Sequence, residues 1–260
     1  MMRSLLTAAT GMEAQQLNID TISNNLANVN TTAFKRSRAN FHDLLYQTLR
    51  APGQSSTTGA VVPGGIQIGT GTKLSSVDKM FTEGAIQVTG NELDFMIEGD
   101  GFFRIQRDDG QIAYTRNGHF TKDNGGRIVT SDGFPLVPEI IVPPGAQNLH
   151  VGYDGTVTVK IAGETQELGQ ILLADFINPT GLVSLGGNNY APSRASGEPV
   201  VGPPNQNGIG RLGQSQLESS NVNIVEEMVN MITGQRAYEV NSKVIQTGDQ
   251  MLQTTTNIRQ

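Results

Sequence analysis

Apolar residues recur every three or four positions at both ends of this chain and every second position between them, so helices must flank a β-rich middle. At the first end, Met2, Leu5, Ala9 and Met12 keep helical spacing, which resumes past the polar Gln16 at Ile19. After a slip in register, Ile22, Leu26, Val29 and Ala33 continue it, weakened by Asn-Val-Asn-Thr-Thr at 28–32, residues that favour turns over helix interiors. The last end is longer. Asn223 followed by Glu226 fits a capping box, and Glu226 and Glu227 would complement the helix dipole in the first turn. Val225, Met228 and Ile232 form one stripe; Ala237, Val244, Met251 and Ile258 then repeat every seven residues, with Val240 between the first two. Only Gly234 and Gly248 weaken a helix over 223–260, which would extend about 55 Å. Seven-residue spacing predicts a coiled-coil partner, most simply the N-terminal helix. Leu6, Leu17, Val229, Ile245 and Leu252 fall outside these stripes. Two helices alone cannot cover them all, which points to neighbouring copies of the chain.

In the middle, Leu93–Glu98, Phe102–Gln106, Gly126–Thr130 and Thr156–Lys160 read as strands. Asp-Gly or Asn-Gly pairs at 100, 109, 117, 124, 132 and 154 supply the positive φ that tight turns need. Ala51–Gly71 and Gly186–Gly213, rich in Gly, Pro, Ser and Asn, read as connections. The expected fold is an elongated α+β chain. Terminal helices (1–34 with 221–260) form a coiled-coil-like domain, and an antiparallel β-rich domain (76–204) is inserted between them. Extended segments (35–75 with 205–220) connect the two. No repeat of 20–50 residues is apparent.

Charge narrows the function. The 260 residues carry a net charge of −6. Residues 51–210 hold nine basic and sixteen acidic groups, while both ends are close to neutral. That balance argues against nucleic-acid binding through a basic surface. The absence of cysteine removes disulfides, thiolate metal sites and thiol nucleophiles. No apolar run reaches a membrane span, so direct membrane insertion is not expected, and the first residues reach Glu13 too early for a secretory signal.

Catalytic motifs fare badly. Gly208-Ile-Gly-Arg-Leu-Gly213 matches a dinucleotide-binding pattern but follows Pro-Pro-Asn-Gln-Asn rather than a strand. Gly69–Lys73 lacks the ending of a phosphate-binding loop, and His42, His119 and His150 share no ligand spacing. Asp94, Glu98 and Asp100 could share a strand face, as a glycan-cleaving acid pair requires. Outward solvation opposite Phe95 and Ile97 accounts for them more simply. No catalytic residue, cofactor or metal is expected.

Several longer stretches carry a family resemblance. Ser23-Asn-Asn-Leu-Ala-Asn-Val-Asn-Thr-Thr-Ala-Phe-Lys-Arg36 resembles the N-terminal signature of the bacterial flagellar axial proteins of rod and hook. Ser219–Ile232, Gln235–Lys243 and Asp249–Leu252 resemble their C-terminal signature, and Asp100–Phe103 and Ala113–Phe120 extend the match through the middle. The motif positions are Asn24, Asn25, Asn28, Phe34 and Lys35 at one end, and Asn221, Gln235, Arg236 and Asn241 at the other. The stretch 46–63, marked by Tyr46, Pro52, Gly53, Val62 and Pro63, is similar to an insertion of the distal-rod members. Leu6 stands where relatives often carry Trp.

The resemblance implies a non-enzymatic subunit that polymerises helically into a straight hollow shaft transmitting torque from motor to hook. Its terminal helices would form the inner tube and its β domain the outer layer. Leu5, Met12, Ile19 and Leu26, with Val225, Met228, Ile232, Tyr238, Val244 and Met251, are the expected assembly interface. Implied partners are further copies, the proximal rod proteins, the hook protein, the L-ring and P-ring proteins, the rod cap and the flagellar type III export apparatus. The shaft would lie in the basal body, crossing periplasm to outer membrane. Composition alone makes 46–63 a floppy loop; the resemblance makes it a stiffener. Deleting Gly53–Val62 is expected to give curved or flexible rods by electron microscopy, and straight rods would remove the stiffening role.

Overall fold

The computed structural model describes residues 2–53, 64–161 and 163–258 and divides into two compact units. The first joins both chain ends: helix α1 (Met2–Ala27), strands β1 (Ser37–Asp43), β2 (Tyr46–Arg50), β3 (Ile66–Gly69) and β4 (Thr72–Lys79), and helix α2 (Ile224–Ile258). Asn223 caps α2, its side-chain oxygen accepting the amides of Val225 at 3.1 Å and Glu226 at 3.4 Å. Helix α1 stops at Ala27, short of the apolar Val29 and Ala33 that extended its spacing. The reason is the polar run 28–32, after which Ala33 is fully buried in a left-handed conformation at φ 57°.

Strands β1 and β4 pair antiparallel from Ser37 opposite Lys79 to Asp43 opposite Thr72, and β2 with β3 continues the same two-stranded ribbon. Part of Ala51–Gly71, read from composition as a connection, is therefore strand: alternating Ile66 and Ile68 outweigh the surrounding glycines. Residues 54–63, including Val62 and Pro63, lie outside the described residues.

The second unit comprises 28–36 and 80–222. Its strands are β5 (Ile86–Val88), β6 (Phe95–Glu98), β7 (Phe102–Gln106), β8 (Ile112–Thr115), β9 (Phe120–Lys122), β10 (Ile128–Thr130), β11 (Gln147–Val151) and β12 (Thr156–Ile161), followed by β13 (Glu164–Gln170), β14 (Leu173–Asp175), β15 (Val183–Gly186), β16 (Asn189–Ala191), β17 (Val200–Gly202), β18 (Arg211–Gln214) and β19 (Gln216–Glu218). Every pairing among them is antiparallel, and the largest sheet has the order β15-β16-β8-β7-β14-β17. Its central strands are buried on both faces. Phe103, Ile105, Ala113 and Leu173 join the main core with Phe95, Phe120 and Leu212, while the alternating Phe102, Tyr114 and Ala174 pack with Phe176 and Tyr190. Edge-to-face ring contacts knit this smaller cluster, Tyr114 to Phe176 at 4.9 Å and Phe81 to Phe102 at 5.4 Å between centroids.

Residues 205–220, expected to connect domains, instead close the β unit. Strand β18 pairs with β6 and β19 with β5, and Leu212 is buried. Glycine beside and within β18 disguised it: a Cβ at Gly210, just before the strand, would stand 2.4 Å from the carbonyl oxygen of Glu98. The glycine-rich 208–213 is thus strand packing, not a nucleotide loop. A chain ending at 204 is expected to leave the β unit unfolded by circular dichroism and protease digestion, whereas one ending at Val222 retains it. A cooperatively folded 76–204 fragment would contradict this.

Candidate assembly surface

Helices α1 and α2 run antiparallel, with Leu5 against Gly248, Gly11 against Asn241 and Ile19 against Gly234. A Cβ at Gly248 would meet Leu5 Cδ2 at 2.7 Å, and one at Gly234 would meet Ile19 Cγ1 at 3.2 Å. Missing side chains let the helices approach closely. The face of α2 turned to α1 therefore runs Glu227, Gly234, Asn241, Gly248, one residue every seven. The more apolar heptad through Val244 and Met251 is not this seam; both residues are exposed, while Ile245 and Leu252 beside them are half-buried. Small residues, which carry little hydrophobic signal, mark the close contact. On α1, Leu5, Met12, Ile19 and Leu26 are half-buried.

Opposite the seam, the first turns of α2 are apolar and open. Val225 is 71% exposed, and Met228, Val229 and Ile232 are about half exposed. Further along, Val240, Val244 and Met251 carry exposed apolar surface on one flank of the seam and Tyr238 on the other. Past Ile232 the opposite face turns polar, with exposed Arg236, Lys243 and Gln250 spaced by seven. The ribbon repeats the theme: Tyr46, Leu49, Ile66 and Ile68 are exposed, as is Leu45 between β1 and β2. Pro52 and Gly53 are both exposed. Two bare strands with uncovered apolar side chains are marginal in water, so this ribbon needs a covering surface.

Several motif residues are structural anchors. Asn25, 1% exposed, receives the Ser37 amide on Oδ1 at 2.8 Å; its Nδ2 donates to Ser37 O at 2.8 Å and to Glu227 Oε2 at 3.1 Å. In the β unit, the buried Lys35 Nζ stands 2.6 Å from Glu218 Oε1 and donates to Thr82 O at 2.7 Å. The Gly84 amide donates to the same Glu218 oxygen at 2.9 Å, and Arg116 approaches the other at 3.6 Å. Burial pushes the Lys35 pKa below its usual 10.5, against the pull of Glu218 and with help from the Arg116 charge. Asn221 accepts the Arg36 amide at 2.7 Å and donates to Met80 O at 2.8 Å. Phe34 is buried, and Asn28 accepts the Thr31 hydroxyl at 3.2 Å. Asn24, Gln235 and Arg236 stand exposed, and Asn241 fills the space over Gly11.

Sequence reasoning missed Glu218, Arg116, Ser37 and the buried role of Glu227. The usable signal was opposite charge, Lys35 and Glu218, placed where the chain enters and leaves the β unit. The acid cluster does not converge. Asp94 pairs with His119 at 2.8 Å and accepts from Asn91, while Glu98 takes Arg211 through two contacts of 2.6 Å. Among the described residues no group of three or more His, Cys, Asp or Glu is placed to hold a metal ion, and no helix is long and apolar enough to cross a membrane.

Comparison with known proteins agrees with this layout. Residues 5–35 match the flagella basal body rod protein family, 96–159 the D1 domain of the flagellar hook proteins FlgE/F/G, and 214–258 the C-terminal domain of the flagellar basal body rod FlgEFG proteins. The chain is 50% identical over 255 residues to the flagellar basal-body rod protein FlgG of Buchnera aphidicola subsp. Schizaphis graminum, covering 97% of this chain and 98% of that one. It is 48% identical to FlgG of Borreliella burgdorferi over 263 residues, covering 100% and 99%, and 47% identical to that of Caulobacter vibrioides over 261, covering 99% and 100%.

The buried ion cluster yields a stability prediction. Glu218→Gln leaves Lys35 and Arg116 as buried cations facing a neutral amide and is expected to cost about 3–5 kcal/mol in urea unfolding. Lys35→Met, which leaves Glu218 with Arg116, is expected to cost less. Because the folded Lys35 pKa lies below 10.5, the unfolded chain binds the extra proton as pH rises toward that value. Wild-type stability relative to Lys35→Met should therefore climb through that window; a flat difference would mean Lys35 is not depressed.

Proposed function

The chain belongs to the flagellar basal-body rod protein family and is a structural subunit of the distal rod in the flagellar basal body; on that premise we propose how its surfaces build the shaft. The observation that carries the proposal is the bare apolar face of α2 opposite its seam with α1, from Val225 to Ile232. Each copy closes one side of α2 with its own α1 and leaves the other for a neighbour. Val225, Met228 and Ile232 fill that contact, Val244 and Met251 offer further apolar surface on one flank and Tyr238 on the other, and Leu5, Met12, Ile19 and Leu26 hold α1 in place beneath. Past Ile232 the polar face of Arg236, Lys243 and Gln250 suits a water-filled bore.

The ribbon tip and stretch 46–63 are covered by adjacent copies and stiffen the stack. The acidic β unit lies outward, where the exposed Asp108, Asp109, Asp123 and Glu139 present a hydrated negative layer to the L-ring and P-ring proteins. Proximal rod proteins, the hook protein and the rod cap meet the ends of the polymer, and delivery runs through the type III export apparatus with the chain unfolded. The subunit does no chemistry of its own.

Val225→Asp or Met251→Asp is expected to abolish polymer in sedimentation and electron microscopy, because a carboxylate would be buried unpaired in the contact. The β unit should keep its native circular dichroism. Polymers at wild-type yield would take these residues out of the interface.

A further inference from the structure

The apolar contacts between α1 and α2 recur at multiples of seven residues, so taken alone they do not choose an alignment. Leu5 lies against Gly248 and Ile19 against Gly234. Sliding α1 by seven would bring Met12 to Gly248 and Leu26 to Gly234, contacts of the same kind displaced by about 10 Å, and would set Asn18, with Ile19 beside it, rather than Gly11 against Asn241. Something other than the apolar repeat has to fix the offset.

We infer that the buried Asn25–Glu227 hydrogen bond, held at the end of α1 by Ser37, is the register key of the helix pair. The two residues are each 1% exposed, and the donor Nδ2 lies 3.1 Å from Glu227 Oε2. A buried charge-assisted bond is costly to leave unmade, so any slide that parts the pair is penalised where the apolar contacts are indifferent. Polar residues inside heptad seams set alignment in this way. Asn18 lies seven residues before Asn25 and could reach Glu227 if α1 slid the other way. The paired bonds between the Asn25 amide and the Ser37 backbone exclude that slide, because Ser37 starts β1, ten residues past the last residue of α1. Asn25 thereby satisfies three partners, one on α2 and two on β1, that only one offset brings together.

This inference rests on the polymer reading for its importance: a helical array requires every copy to present the same offset. It is tested separately from that reading. The chain contains no cysteine, so introduced pairs report alignment without background. Leu5→Cys with Gly248→Cys reports the observed offset; Met12→Cys with Gly248→Cys, or Leu5→Cys with Asn241→Cys, reports either slide. Full-length chains are oxidised under polymerising conditions, mixed with isotope-labelled chains so that mass spectrometry counts only links within one copy. With Asn25 and Glu227 intact, the observed offset should dominate. Asn25→Ala and Glu227→Ala should each raise the slipped links relative to it about tenfold or more. Glu227→Gln keeps an oxygen for Asn25 to donate to but loses the charge, and should slip less than Glu227→Ala. Unchanged link ratios in both alanine variants would overturn the inference. So would slippage in Glu227→Gln equal to that in Glu227→Ala. Loss of helicity in both alanine variants without slipped links would also overturn it, by making the pair a stability element only. Sedimentable polymer, read in parallel on the cysteine-free chain, tests the structural reading alone.

Discussion

Each unit of this protein depends on residues close to opposite ends of the chain meeting each other. Helix α1 packs on α2, and in the β unit residues 28–36 are joined to 217–222 by the Lys35–Glu218 pair and the Ala33 amide on Glu218 O at 2.8 Å. Closing a loop of that length costs about 5 kcal/mol of chain entropy before any contact is made. Polar bonds with demanding geometry therefore cluster at the closures, where a wrong meeting would waste the whole intervening fold. The ribbon, the sheets and the exposed stripes are positioned by those few buried groups.

The polar closures and the apolar seams divide the work. Burying Lys35, Glu218 and Arg116 together is a weak way to gain stability, since desolvation offsets much of the attraction. It is a strong way to reject alternatives, because each group has only one set of partners within reach. The glycines of α2 act in the same sense. Gly234 and Gly248 give up helix propensity, worth about 1 kcal/mol each, and gain a closeness to α1 that a side chain would crowd.

Much of this was legible in the sequence, and what was not has physical reasons. The helix–β–helix order, the Asn223 cap and the strand at Phe102–Gln106 follow from periodicity and turn chemistry. The helix seam was misplaced because hydrophobicity marks large apolar residues, and here those face outward while glycine, asparagine and glutamate face inward. Strand β18 escaped because Gly210 just before it, where backbone passes close, and Gly213 within it dilute its pattern, and β19 because it is only three residues long. Glu218 drew no notice since a lone carboxylate in a polar run reads as solvated. Only the fold reveals that Lys35, 183 residues earlier, lies beside it. The stripe of Val225, Met228 and Ile232 was legible from its spacing, and in the fold all three residues stand exposed.

The ribbon carries a consequence for supply. Residues 45–50, Leu-Tyr-Gln-Thr-Leu-Arg, combine β-prone side chains with a single charge, and they sit in a two-stranded ribbon whose outer edges no described strand pairs. Such a segment is sticky toward any other extended chain. A cell that lets folded copies accumulate would invite disordered clumping well before orderly growth. Covering the ribbon's edges and apolar side chains as soon as it forms would remove that hazard.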